Sequence, residues 1–318
     1  MPSLPEGQRS GDGVVVRDAQ AAARLHDRHR VGSLRGGVLH LHLVEAAWLV
    51  AEGRLSVAEA PDALHLLQAG AADALVQFLA MAELRNRGLQ VHWSGTGWTL
   101  RDRDGAASTP LILRSERDPT SGQDLLLWST AGSLLAIVDD DGAVTYYKAA
   151  PAAPKGSCAP GELSLHEGTP LADRVLVDDA PDLRRESIGQ PSLAGVVLSL
   201  VEAEALRRRG ALRLPAGFEA ARSLPELRVT LPAYEALRAA GVVAKSGFKF
   251  GTHLRGYRSD PDAEHADWLV QCVHAQDVVQ WPELARAVRV AHGVRKSLLV
   301  AVVAPDAVSF VALSWFKP

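Results

Sequence analysis

One pattern occurs twice in this chain. Residues 32–57 read GSLRGGVLHLHLVEAAWLVAEGRLSV and residues 189–214 read GQPSLAGVVLSLVEAEALRRRGALRL. With Glu45 set on Glu202, Gly32 falls on Gly189, Leu41 on Leu198, Leu43 on Leu200, Leu49 on Leu206, Gly53 on Gly210 and Leu55 on Leu212. Each copy alternates like a strand, changes to helical spacing and stops at a glycine, which predicts a strand running into an amphipathic helix. Leu134-Leu135 also match Leu298-Leu299, and Ala143-Val144 match Ala307-Val308. Two matches in the same order mark a tandem duplication. A chain built this way must bury two similar sets of cores, and 318 residues, 47% of them apolar, supply the material.

Residues 149–170, AAPAAPKGSCAPGELSLHEGTP, join the halves, and their proline, alanine and glycine content predicts an extended linker. The sequence then divides into a first repeat at 1–150, a linker at 151–172, an N-terminal piece of the second repeat at 173–240 and a C-terminal piece at 241–318. The expected fold class is α/β (α+β), each repeat opening with an α/β piece that carries the helix stopping at Gly53 or Gly210. The C-terminal pieces read mostly as strand, in DLLLWST at 124–130, LLAIV at 134–138, HADWLVQCV at 265–273 and SLLVAVV at 297–303. Asp139-Asp140-Asp141-Gly142 reads as a hairpin turn between two apolar strands.

Composition excludes several functions. The N-terminus, MPSLPEGQRSGDG, lacks the apolar core of a secretion signal, and the longest apolar run, 298–304, is too short to span a bilayer. Cys158 and Cys272 form no metal-binding or disulfide pattern. A soluble cytoplasmic protein with idle thiols is expected. The net charge of −3 argues against a general nucleic-acid coat, so an RNA site has to be a local basic patch. One such patch is visible: no Asp or Glu occurs from Gly241 to Ser259, a stretch holding Lys245, Lys249, His253, Arg255 and Arg258.

The same region offers Tyr257, His265 and Lys296, a phenol, an imidazole and one of only six lysines. A proton acceptor, a proton donor and a fixed cation suit attack of a ribose 2′-OH on its own phosphate, because phosphoryl chemistry is mostly positioning and charge stabilisation. Tyr257 is the candidate base, His265 the candidate acid for the departing 5′ oxygen, and Lys296 the cation for the pentacovalent phosphorus. Each also has a structural reading: an aromatic at a strand end, a histidine capping the HADWLV strand, a lysine on a solvated helix face. Trp281-Pro282-Glu283 opens a helix well, and Leu284, Ala287, Val288 and Ala291 give it one apolar face. Arg289, His292 and Lys296 share another face if that helix continues past Gly293.

Three segments, GFKFGTHLRGY at 247–257, HADWLV at 265–270 and RVAHGVRKSLL at 289–299, resemble the archaeal tRNA-intron splicing endonucleases. The resemblance implies a tRNA-intron lyase that needs no metal or other cofactor. Such an enzyme cuts precursor tRNA at a bulge–helix–bulge element and leaves 2′,3′-cyclic phosphate and 5′-hydroxyl ends. It further implies nuclease-like, mixed-sheet C-terminal subdomains, and the class in which an active and a structural copy are fused and two chains form a homodimer. Tyr257, His265 and Lys296 match the family's catalytic set. Arg289 matches its base-stacking arginine, a plain phosphate contact being the other reading. Lys245, Lys249 and Arg255, with His253 and Arg258, would line the RNA approach, His253 reading equally well as an ordinary surface histidine. Asp139, Asp140 and Asp141 match an acidic loop that docks into a basic pocket of the partner, an acidity mostly lost from the second-half loop at 304–307.

The first half lacks this equipment. Tyr257 aligns with Arg101-Asp102-Arg103, His265 falls near Gly122, and 277–295 has almost no counterpart, since only 129–132 separate Trp128 from Ser133. A catalytically dead first copy is expected. Two rivals remain: a non-catalytic RNA-binding subunit, which should have lost the Tyr/His/Lys set, and a metal-dependent nuclease. The carboxylates of Asp260, Asp262 and Glu264 would serve the latter, against their plainer reading as a solvated turn.

Overall fold

The computed structural model describes residues 4–101, 108–158, 161–218, 224 and 226–318. It divides into two compact units, one of residues 1–119, 130–149 and 315–318, the other of residues 120–129 and 150–314. The main change of unit falls between Ala149 and Ala150.

In the first unit, β1 (Glu6–Ser10), β2 (Gly13–Val16), β3 (Ser33–Arg35), β4 (Val38–His42) and β5 (Ser56–Val57) form a sheet in the order β3-β4-β2-β1-β5. Ala21, Ala22 and Leu25 of α1 (Ala19–His29) and Ala46, Ala47 and Leu49 of α2 (Leu43–Ala51) bury its apolar face in one cluster. After α3 (Ala63–Gln68) and α4 (Ala74–Asn86), β6 (Gln90–Trp93), β7 (Trp98–Arg101), β8 (Ser108–Ser115), β10 (Leu134–Val138) and β11 (Val144–Ala152) lie in the order β11-β10-β8-β7-β6. The elements β9 (Thr120–Ser121) and α5 (Gly122–Thr130), all but its last residue, belong to the second unit.

The second unit repeats this order. Strands β12 (His166–Leu171), β13 (Arg174–Val177), β14 (Gln190–Ser192), β15 (Gly195–Ser199) and β16 (Leu212–Arg213) run β14-β15-β13-β12-β16, with α6 (Pro181–Arg185) and α7 (Leu200–Arg208). Next come α8 (Leu227–Ala239) and β17 (Val243–Ser246), β18 (Leu254–Tyr257), β19 (Trp268–His274), β20 (Val278–Val279), α9 (Trp281–Gly293), β21 (Ser297–Val303) and β22 (Val308–Phe316). Their sheet runs β17-β18-β19-β21-β22, parallel only where β19 meets β21, as β8 meets β10.

The glutamates that align the halves hold the same local structure in each. Glu45 is fully buried, caps α2 by accepting the His42 N–H at 3.0 Å, and accepts the Gly32 N–H at 3.1 Å. Glu202 caps α7 from Ser199 at 3.0 Å and accepts the Gly189 N–H at 2.9 Å. Both glycines have positive φ, +61° and +69°, and a Cβ on Gly32 would stand 2.4 Å from the His40 carbonyl oxygen. A left-handed turn with no side chain is what lets the amide reach the carboxylate.

Three expectations are corrected. DLLLWST is helix α5, launched by a Ser121–Asp124 box: Asp124 Oδ2 accepts the Ser121 N–H at 2.8 Å and Ser121 Oγ accepts the Asp124 N–H at 3.1 Å. Its Leu125 and Trp128 are buried at helical spacing while Leu127 is exposed, which a plain apolar run conceals. Second, β9–α5–β10 repeats β20–α9–β21, so the segment 277–295 has a counterpart whose helix has 9 residues against 13. The position equivalent to His265 therefore precedes β8 rather than lying near Gly122, in the stretch with Asp102 and Arg103 outside the described residues. Third, the extended linker is shorter: β11 runs to Ala152 and β12 starts at His166. Gly156, Ser157 and Cys158 also donate backbone hydrogen bonds of 2.8–3.0 Å to Ala240, Arg258 and Gly241, beside the site described next.

Candidate active site

Three adjacent strands of the second unit bring Tyr257, His265 and Lys296 to one end. Asp267 is the node: its N–H donates to Gly256 O at 2.9 Å and its carbonyl accepts the Ser297 N–H at 3.0 Å, which levels the ends of β18, β19 and β21. Its carboxylate accepts the Arg258 N–H at 2.9 Å. Tyr257, the last residue of β18, is buried against Val243 and Ala266, with Cys158 packed on that cluster. Lys296 is half-buried and its ammonium donates to the Ala266 carbonyl at 2.6 Å. His265, exposed, precedes Ala266 directly. Tyr257 thus packs on Ala266, Lys296 bonds its carbonyl, and His265 is the residue before it in the chain. Sequence offers no sign of the part Ala266 plays, because it acts through a methyl group and a carbonyl that most residues could supply.

Lys296 does not arrive there on a helix face. The apolar face of α9 is as expected, with Leu284, Ala287, Val288 and Ala291 buried and Pro282 in its first turn. The helix ends at Gly293, and Arg295 turns the chain with φ +56°. The Arg295 N–H donates to His292 O at 3.1 Å and the Lys296 N–H to Ala291 O at 2.8 Å. This paired closure is the Schellman motif, with arginine where glycine is usual. The turn points the chain from the end of α9 into β21 and sets Lys296 beside Ala266. A left-handed non-glycine residue costs about 1–2 kcal/mol, offset in a glycine by about 0.5–1 kcal/mol of lost chain entropy. Arg295→Gly is therefore expected to stabilise the protein by about 0.5–1 kcal/mol, read as a raised Tm in thermal unfolding. A lowered Tm would mean the Arg295 side chain holds something the turn needs.

The basic residues separate into two groups. Arg289 is exposed on α9, and Lys249 is exposed on the 3-10 turn Phe248–Phe250 with its Nζ 5.7 Å from the Phe250 ring centre. Arg255 lies on the same face of β18 as Tyr257, its guanidinium 5.5 Å from the phenol ring centre. Lys245, expected on the RNA approach, is occupied within the fold: its ammonium donates to Gly189 O at 2.6 Å and lies 3.3 Å from Glu202 Oε1. A buried carboxylate needs a partner, and in the first unit His92 stands in the equivalent place, 3.6 Å from Glu45. His253 is likewise structural. Its Nδ1 accepts the Cys272 N–H at 3.2 Å, and burial holds its pKa below the usual histidine value. Arg258 spreads over the Trp268 ring at 5.0 Å beside Asp267.

Asp260, Asp262 and Glu264 form a self-contained turn: Asp260 Oδ1 accepts the Asp262 N–H at 3.0 Å, and Ser259 Oγ donates to Glu264 Oε2 at 2.5 Å. No three His, Cys, Asp or Glu side chains gather into a metal-holding group among the described residues. Cys158 and Cys272 are both free thiols, and burial pushes the Cys272 thiol up. No helix among the described residues is long and apolar enough to cross a membrane.

In the first unit, Asp139 closes the β10–β11 hairpin by accepting the Asp141 N–H at 3.1 Å and the Ala143 N–H at 2.8 Å through Oδ1. Asp140 pairs with Arg117, Nε to Oδ1 at 2.7 Å, and that guanidinium holds its carboxyl below the usual carboxylate range. All three aspartates are exposed.

Two family descriptions match the chain: "tRNA intron endonuclease, N-terminal domain" over residues 6–68, and "tRNA intron endonuclease, catalytic C-terminal domain" over residues 228–310. Tyr257, His265 and Lys296 lie inside the second match. The chain is 31% identical over 350 residues to a tRNA-splicing endonuclease of Halobacterium salinarum, covering 98% of this chain and 100% of that one. It is 30% identical over 341 residues to one of Haloarcula marismortui, covering 96% and 98%. It is also 30% identical over 359 residues to one of Methanosarcina mazei, covering 99% of both.

Proposed function

Because this chain belongs to the tRNA-splicing endonuclease family, we propose that it excises introns from precursor tRNA by metal-independent transesterification. What supports the mechanism is that Tyr257 packs on Ala266, Lys296 bonds the Ala266 carbonyl, and His265 directly precedes Ala266 in the chain. Tyr257, in its phenolate form beside the Arg255 guanidinium, takes the proton of the ribose 2′-OH at the cut, and the 2′ oxygen bonds to the adjacent phosphorus. Lys296 faces the extra negative charge of the pentacovalent phosphorus, where a compact ammonium contributes most. His265 gives its proton to the 5′ oxygen as the P–O5′ bond breaks. The products are a 2′,3′-cyclic phosphate and a 5′-hydroxyl, and every proton is accounted for. Arg289, Lys249 and Arg255 supply the surrounding positive surface, while Lys245 is withdrawn from that role by Glu202.

The substrate is a precursor whose splice sites sit in a bulge–helix–bulge element, and the working form is a cytoplasmic homodimer with two active sites, the first repeat of each chain being structural. Incubation with an intron-bearing precursor should release the intron through two cuts and leave mature tRNA whole. Cutting of both RNAs alike would overturn the substrate assignment.

The dimer gives the acidic hairpin its purpose. Asp139, Asp140 and Asp141 dock into a basic pocket of the partner, so replacing all three with lysine should weaken the dimer and lower cleavage. Like charges facing each other across an interface can cost several kcal/mol. Arg117 and the Asp139 turn show that the loop is also locally organised, so the test needs both sedimentation and cleavage. A triple mutant that remains a full-strength dimer and cuts normally would make the loop an ordinary solvated turn.

A further inference from the structure

Part of the run that joins the two repeats lies across the end of the sheet that carries Tyr257. The Gly156 N–H donates to Ala240 O at 3.0 Å and the Cys158 N–H to Gly241 O at 2.9 Å. Between them the Ser157 N–H donates to Arg258 O at 2.8 Å, and Ser157 Oγ adds a bond to the same oxygen at 3.2 Å. The segment therefore ties the chain just before β17 to the chain just after β18, the two ends of the hairpin in which Val243 pairs with Tyr257.

This close approach requires glycine on both sides. A Cβ on Gly156 would stand 2.1 Å from Gly241 O and 2.9 Å from Arg258 O, backbone atoms that cannot swing aside. Gly241 has φ +76°, and a Cβ there would lie 2.7 Å from Gly156 O. A linker that only had to span the repeats would need no such fit. Its contacts converge on one residue. The cluster around Tyr257 consists of Val243 from β17, Ala266 from the approach to β19, and Cys158 from the linker. Arg258, which follows Tyr257, is held through both backbone groups: its N–H donates to Asp267 Oδ2 at 2.9 Å, and its carbonyl accepts from Ser157.

We propose that Gly156, Ser157 and Cys158 are positioning residues for Tyr257, so that the linker between the repeats sets where the phenol meets the ribose 2′-OH. This deepens the endonuclease reading and rests on Tyr257 as its base. A reacting group misplaced by about 1 Å can lose roughly 10²-fold in rate, whereas RNA affinity is spread over many backbone contacts. The segment therefore acts on kcat and leaves KM nearly unchanged.

The test uses the full-length protein, an intron-bearing precursor cut under single-turnover conditions, and the same RNA with 2′-deoxy sugars at both cuts to measure affinity. Gly156→Val should cut about tenfold more slowly at unchanged RNA affinity. The deciding comparison adds Tyr257→Phe. Once the phenol is gone its placement no longer matters, so Gly156→Val should slow Tyr257→Phe by less than about twofold. Equal slowing in both backgrounds, or wild-type cutting by Gly156→Val, would overturn the proposal while the endonuclease reading stood. Cys158→Ala, which removes only the thiol from the cluster, carries the same comparison if the valine variant does not fold. It should show a smaller loss that Cys158→Ser restores, and no loss, or equal loss in both backgrounds, would overturn the proposal likewise. Wild-type cutting by Tyr257→Phe would remove the base on which the proposal rests. A wild-type protein that binds the precursor but never cuts it would overturn the endonuclease reading instead.

Discussion

Lys296→Ala should reduce cleavage by roughly 10²–10³-fold while binding of precursor tRNA changes little. The loss falls on kcat because the ammonium acts on charge that exists mainly in the transition state. The magnitude is that of removing one charge-stabilising donor from a preorganised site, about 3–4 kcal/mol. The same substitution removes the 2.6 Å bond to the Ala266 carbonyl, so part of the loss arises through the loop that carries His265. Melting should be measured beside kinetics to separate a displaced loop from an unfolded protein. A variant that folds and cuts within about tenfold of wild type, about 1.4 kcal/mol in barrier, would show that the phosphorus does not sit at Lys296.

Replacing the ribose 2′-OH by hydrogen at one splice position should stop cutting there altogether and leave the other position cut. This is the largest effect expected, since the nucleophile belongs to the RNA and no residue or water can take its place in forming a cyclic phosphate. Binding should be nearly unchanged, because one hydroxyl among many backbone contacts contributes little to affinity. Continued cutting at the deoxy position would mean that water is the nucleophile, and Tyr257 would lose its role.

Much of the fold was legible in sequence, and the misses have physical causes. Glu45 and Glu202 aligned the halves because each is a buried capping carboxylate that also holds a left-handed glycine, a role few other residues can fill. Tyr257, His265 and Lys296 stood out because their chemistry resides in their side chains. Ala266 could not stand out, since it contributes a carbonyl and a methyl group. Helix α5 was misread because four apolar residues in a row mask helical spacing, and the Ser121–Asp124 box that starts it is short. Lys245 and Lys249 look alike four residues apart, yet one pairs with Glu202 across the unit and the other faces water. Only tertiary structure separates them. Arg295 hid the end of α9 because the turn uses left-handed arginine where glycine would have announced it.

The most direct test of the central claim is end-group analysis of an intron-bearing precursor cut in excess EDTA. The account predicts full activity, with 2′,3′-cyclic phosphate on the upstream fragments and 5′-hydroxyl on the downstream ones. Products ending in 3′-hydroxyl and 5′-phosphate, formed only when magnesium is restored, would contradict it.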